Sequence, residues 1–155
     1  MEFELVPFSE AIGQNADGIM VAHILFNKID PLYPATLSEK IMTGLLRDKL
    51  NYDGVIFTDD LTMGAILENY DIGEAAVRSV KAGADILVVC HGHDNIIKVF
   101  NSLKRAAENG EIEEERIDQS LVRILALKRK YKISDSIIKN VDVAKINEVI
   151  GTVLK

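Results

Sequence analysis

The 155-residue sequence predicts an α/β fold in which parallel strands alternate with helices. Three observations lead there. Gly18-Ile19-Met20-Val21-Ala22-His23-Ile24, Gly54-Val55-Ile56-Phe57-Thr58-Asp59 and Asp85-Ile86-Leu87-Val88-Val89-Cys90 are nearly continuous in apolar residues, as a parallel strand covered on both faces requires. Their starts lie 36 and 31 residues apart, about the length of one βα unit. Longer amphipathic stretches with helical spacing run between them.

Taken in chain order, a short helix is expected near Ser9 to Gln14, before the first strand. Thr36-Leu37-Ser38-Glu39 reads as a capping box, with Thr36 as N-cap and Glu39 reaching back; Leu37, Ile41, Leu45 and Leu46 then recur at helical spacing to about Leu50. After the second strand, Asp71 caps a helix carrying Ala75, Ala76, Val77 and Val80, which Gly83 closes. After the third, Asp94 caps a helix with Ile96, Ile97, Phe100 and Leu103 that stops before Asn109-Gly110. A further helix runs from about Glu113 to Lys130, acidic in its first turn and basic in its last, as the helix dipole favours. A last helix is expected over Val143 to Leu154.

Composition narrows the function. With 48% hydrophobic and 27% charged residues, the chain has the material for a packed core, which excludes intrinsic disorder. No apolar run reaches the roughly 18 residues of a membrane span, so no membrane partner is expected. A formal net charge of -6 argues against a nucleic-acid partner. The basic run Lys128 to Lys132 reads as helix-end charge, with a nucleic-acid patch the lesser alternative. The one cysteine, Cys90, cannot form an internal disulfide. Met1 to Leu5 lacks the basic start and apolar stretch of a signal peptide; the compartment stays unassigned, cytoplasmic if the intact protein has none.

Parallel strands place their ligands at the carboxyl ends. The candidates there are His23, Thr58, Asp59, Asp60, Cys90, His91 and His93. Asp59 is a candidate nucleophile, phosphate acceptor or metal ligand, and Asp60 a candidate cap for the helix that follows. His23 either faces the pocket or is a hydrogen-bonded structural histidine. Cys90-His91-Gly92-His93-Asp94 has metal-binding donor types but no second ligand pair, so no metal is assigned; a buried strand end at Cys90 and a cap at Asp94 are the plainer readings.

Leu45-Leu46-Arg47-Asp48-Lys49, four more residues, and Gly54-Val55-Ile56-Phe57-Thr58-Asp59 resemble the signature of glycoside hydrolase family 3: two aliphatics, a basic residue, a spacer, Gly, three apolar residues, Ser or Thr, then Asp. Ile19 to Ile24, Asp30-Pro31, Pro34 to Ser38, Asp60-Leu61-Thr62-Met63 and Ala82 to Leu87 resemble segments of its β-N-acetylhexosaminidase branch. The likeness spans about Gly18 to Lys132. It implies that the chain is the C-terminal part of a (β/α)8 barrel, about three parallel strands of eight with flanking helices. Residues 1–132 would then be barrel and 133–155 an extension, helical at 143–154.

The resemblance implies that Asp59 is the nucleophile of a retaining glycosidase acting on terminal β-linked N-acetylglucosamine, in glycans such as muropeptides. Thr58 and the N–H groups near Leu61 are expected to hydrogen-bond its carboxylate. Met20, His23 and Met63 are the expected substrate-binding residues, with a packed helix residue the alternative for Met63. No cofactor or metal is implied. The family's acid/base histidine loop and its Lys-His-Phe-Pro-Gly-His-Gly segment have no match in these 155 residues, so the chain is expected to be inactive by itself. The open sheet edges predict self-association. The competing reading is a flavodoxin-like α/β module with Asp59-Asp60 as a phosphate or magnesium site.

Overall fold

The computed structural model describes residues 2–134 and 141–153. In order it contains helix α1 (Glu2–Gly13), strand β1 (Gly18–Val21), a 3-10 turn (Ala35–Leu37), a π-helical segment (Lys40–Lys49), β2 (Val55–Asp60), α2 (Gly64–Leu67), α3 (Ile72–Ala82), β3 (Ile86–Val88), α4 (His93–Glu108), α5 (Glu114–Lys130) and α6 (Val143–Val153). The strands form one parallel sheet in the order β1-β2-β3. All three predicted strands are present, each ending at or near the residue where the apolar run turns polar.

The pleat assigns the faces. Val21 and Ile56 are buried and, with Ile19 beside them, pack against Ile41, Met42 and Leu46 of the π-helical segment. Gly18, Met20 and Phe57 occupy the other face: a Cβ on Gly18 would stand 2.8 Å from the Phe57 ring. A second core cluster joins Leu61, Ile66, Ile72, Ala75, Ala76 and Val99, so that α2, α3 and α4 share one apolar layer. Asp71 caps α3 as expected, accepting from the Gly73 and Glu74 N–H groups at 2.9 and 3.3 Å. Gly83 ends it with a φ of 122°, a conformation that a side chain would strain.

Several expectations fail at helix starts. Thr36 caps nothing: it is fully buried in the 3-10 turn, and the following segment starts at Lys40 without a side-chain cap. A buried hydroxyl must find a partner, and Thr36 finds distant ones described below. Asp94 lies within the first turn of α4; the N-cap is Gly92, whose φ of 79° suits only glycine readily. Cys90 is exposed, because β3 ends at Val88 and the chain has already left the sheet. The helix before β1 is longer than expected, starting at Glu2. The basic end of α5 reaches back along the chain, Lys130 and Tyr131 both bonding Asp17 just before β1. α6 ends at Val153 and has no buried residue; Leu154 lies outside the described residues.

Candidate active site

The register of β2 breaks where the chemistry is expected. Phe57 pairs with Ile86 and Asp60 with Val88, so three steps along β2 match two along β3. This bulge lies at Thr58 and Asp59. Bulges re-aim side chains at strand ends and leave a residue without a ladder partner. Thr58 fills the gap: its buried Oγ1 accepts the Val88 N–H at 2.9 Å. It is therefore spent on the sheet and does not hold Asp59, contrary to expectation.

Asp59 is half-buried. Its Oδ1 accepts the N–H of Asp60 at 2.8 Å. No described residue donates a hydrogen bond to its Oδ2. One carboxylate oxygen is thus held and the other is open.

Asp60 is the most heavily bonded residue of the site. Its Oδ1 accepts from the N–H groups of Thr62 and Cys90, both at 2.9 Å, and its Oδ2 from the Thr62 hydroxyl at 2.6 Å. Burial pushes this carboxyl up, but the hydrogen bonds from Thr62 and Cys90 outweigh it and hold the pKa at about 2. Asp60 does not cap α2, whose N-cap is Met63. It ties β2 to the chain leaving β3 instead. Desolvation, then the Asp60 and Asp59 carboxylates, push the Cys90 thiol up, so it stays protonated at neutral pH.

His23 reaches this cluster from the end of β1. Its Nε2 is 2.9 Å from the Asp60 carbonyl oxygen and its Nδ1 is 2.7 Å from Thr36 Oγ1. Thr36 Oγ1 also lies 3.1 Å from the Val21 carbonyl. The loop that brings Thr36 there is braced by buried Asp30, which accepts from Ser38 Oγ at 2.7 Å and from Leu32 N at 3.1 Å. Met20 and Met63 are 60% and 46% exposed, available to a ligand and not packed in the core. His91 and His93 are exposed, and no group of His, Cys, Asp and Glu among the described residues has metal-holding geometry. Asp59 lines neither of two surface hollows of about 760 and 640 Å³.

The opposite end of the sheet holds a cluster that sequence reasoning missed. Asp85, just before β3, has a side chain with no solvent exposure. Its Oδ2 accepts from Arg47 at 2.6 Å and from Ile56 N at 2.9 Å; its Oδ1 accepts from Ser120 Oγ at 2.8 Å and Arg116 at 3.3 Å. Arg47 also donates to the Tyr52 and Gly54 carbonyls at 2.8 and 2.6 Å. The basic residue of the signature thus closes the amino end of the sheet and lies away from Asp59. The one hint in the sequence was the aspartate opening an otherwise apolar run.

Residues 1–127 match the family model described as the glycosyl hydrolase family 3 N terminal domain. A beta-hexosaminidase of Methylococcus capsulatus is 37% identical over 108 residues, 69% of this chain and 32% of the relative. One from Haemophilus influenzae strain PittEE is 38% identical over 104 residues, covering 66% and 29%. Among solved structures, a glycoside hydrolase family 3 beta-N-acetylglucosaminidase from Paenibacillus sp. str. FPU-7 superposes with a TM-score of 0.84 at 44% identity, over 90% of this chain and 27% of that one. The beta-N-acetylglucosaminidase from Thermotoga maritima gives a TM-score of 0.72 at 28% identity, over 80% and 28%. The chain spans about a third of the length of the curated relatives it matches. These matches make the fold a part of a (β/α)8 barrel and overturn the flavodoxin-like alternative.

Proposed function

The chain belongs to glycosyl hydrolase family 3, and on that premise we propose that it is the part of a retaining β-N-acetylglucosaminidase that carries the nucleophile, Asp59. The supporting observation is the divided carboxylate: Oδ1 is anchored by the Asp60 N–H, while Oδ2 stands open at the carboxyl end of β2. The open oxygen attacks the anomeric carbon of a terminal β-linked N-acetylglucosamine. The bond from that carbon to the glycosidic oxygen breaks, and a glycosyl-enzyme ester forms on Asp59. Water later cleaves the ester and restores the carboxylate. Met20 and Met63, both exposed, offer apolar surface to the sugar. A carbohydrate partner, with muropeptides as one source, fits the relatives named as beta-hexosaminidases.

The departing oxygen needs a proton, and the second step needs a base. Among the described residues no acid/base side chain hydrogen-bonds Asp59. We therefore infer that the 155-residue chain turns over ordinary glycosides very slowly. The outer edges of β1 and β3 are unpaired among the described residues, and apolar Met20, Ile24, Leu25 and Phe26 lie exposed near β1. The chain accordingly self-associates through these edges.

The test uses a leaving group that needs no proton. Treated with N-acetylglucosaminyl fluoride, the chain is expected to gain one N-acetylhexosamine, located by peptide mass spectrometry on Asp59, and the Asp59→Asn variant to gain none. A chromogenic N-acetylglucosaminide is expected to show little turnover. An adduct on another residue would refute the nucleophile. Brisk Asp59-dependent turnover would refute the incompleteness of the catalytic pair.

A further inference from the structure

His23 looks at first like a sugar ligand, since it ends a strand beside the nucleophile. A proton inventory assigns it otherwise. The Asp60 carbonyl can only accept, and it already accepts the Met63 N–H at 3.0 Å. The His23 nitrogen at 2.9 Å from it, Nε2, must therefore carry hydrogen. Thr36 has one hydroxyl proton and two neighbours, His23 Nδ1 at 2.7 Å and the Val21 carbonyl at 3.1 Å. If that proton goes to Nδ1, the ring is neutral with hydrogen on Nε2. If it goes to Val21, Nδ1 must donate as well, and the ring is a cation. In both states Nε2–H is fixed on Asp60, and both nitrogens are engaged by the protein.

We propose that His23 and Asp60 are positioning residues that together set the attacking carboxylate of Asp59, His23 through a locked Nε2–H tautomer and Asp60 through its bonds to both neighbouring strand ends. This deepens the reading of Asp59 as nucleophile and rests on it. The geometry is specific. Asp60 sits between the held oxygen of Asp59 and three separate anchors. Its N–H grips Asp59 Oδ1. Its carbonyl is fixed by His23 from β1, and its carboxylate by Thr62 and by the Cys90 N–H beyond β3. With both sides of its Cα pinned, the N–H that orients Asp59 cannot swing. The bulge interrupts the regular ladder at Thr58 and Asp59, just before Asp60 pairs with Val88 again, and these side chains brace the point where it resumes. His23 thus lies behind the nucleophile and gives the sugar no free ring nitrogen.

The first measurement needs no activity. The chain has three histidines, and His91 and His93 are exposed. Long-range proton–nitrogen NMR of histidine-labelled protein at pH 8 is expected to show one ring with hydrogen held on Nε2 and two rings with averaged tautomers. A His23 ring with bare Nε2, or averaged like the others, would overturn the lock. The second measurement is the rate of adduct formation with N-acetylglucosaminyl fluoride. His23→Gln places an amide N–H near the position of Nε2 and is expected to stay within about threefold of the parent, whereas His23→Leu is expected to lose tenfold or more at unchanged circular dichroism, since a nucleophile displaced by about 1 Å loses rates of that order. Equal rates in His23→Leu and the parent would overturn the positioning role. If the parent forms no adduct at all, the nucleophile reading fails, and the NMR result still decides the lock.

Discussion

Replacing Asp85 by asparagine should be the most damaging single change of charge in this chain. The side chain is inaccessible to solvent, and Arg47, Arg116 and Arg123 converge on it with only 12%, 16% and 19% exposure themselves. Burial already pushes the pKa of Arg47 and Arg116 down, and the negative charge of Asp85 beside them is what chiefly opposes it. Counting five charged hydrogen bonds at about 1.5–3 kcal/mol each gives roughly 8–15 kcal/mol, as much as the entire stability of a typical domain, so simple addition overcounts. The guanidiniums keep carbonyl partners at Tyr52, Gly54, Val80 and Ala84, and water reaches their edges. The apt figure is the loss on breaking a buried pair from one side, about 3–5 kcal/mol. Urea unfolding followed by far-ultraviolet circular dichroism at pH 7 measures it, the chain having no tryptophan. Asp53→Asn is the control: that carboxylate also pairs with Arg123 but is 87% exposed, and its loss should leave the midpoint unchanged. A loss below about 1 kcal/mol for Asp85→Asn, or equal losses for the two variants, would refute the reasoning.

Two further outcomes are expected. The Asp60 carboxyl titrates near pH 2 in the folded chain but near its ordinary value of about 4 when unfolded, so its stabilising effect is complete above pH 4 and fades as the pH falls toward 2. The stability gap between the parent and Asp60→Asn should therefore be constant from pH 5 to neutrality and close between about pH 4 and 2; a gap independent of pH would contradict the hydrogen bonds assigned to this carboxylate. In sedimentation, the weight-average mass should rise with protein concentration, as open apolar edges require. A single monomer boundary across a hundredfold range of concentration would count against it.

What could be read locally was read well. Asp71 caps α3 and Gly83 ends it because each acts on backbone groups within four residues. Thr36 misled for the opposite reason. A threonine three residues before a glutamate satisfies the local pattern of a capping box, yet its partners are His23 and Val21, 13 and 15 residues away, and burial made those bonds the binding requirement. Asp94 failed because Gly92 could take the positive φ that the turn needed. Cys90 failed because the strand stopped two residues before the apolar run did. The interior positions of the strands were easier, since continuous burial on both faces leaves a mark in every residue.

The residue order alone determined the parallel α/β character, the placing of the strands and the position of Asp59 at a strand's carboxyl end. Periodicity, β-branched runs and the contiguous signature are all short-range properties of a chain. Only the tertiary structure decided what surrounds that carboxylate. The Cys90 N–H reaches Asp60 across 30 residues, His23 reaches it across 37, and Asp85 gathers Ile56 and Ser120 from 29 and 35 residues away. A hydrogen-bond partner is chosen by proximity after folding, among all polar groups that packing leaves unsatisfied, and nothing in the spacing along the chain records which pair will meet.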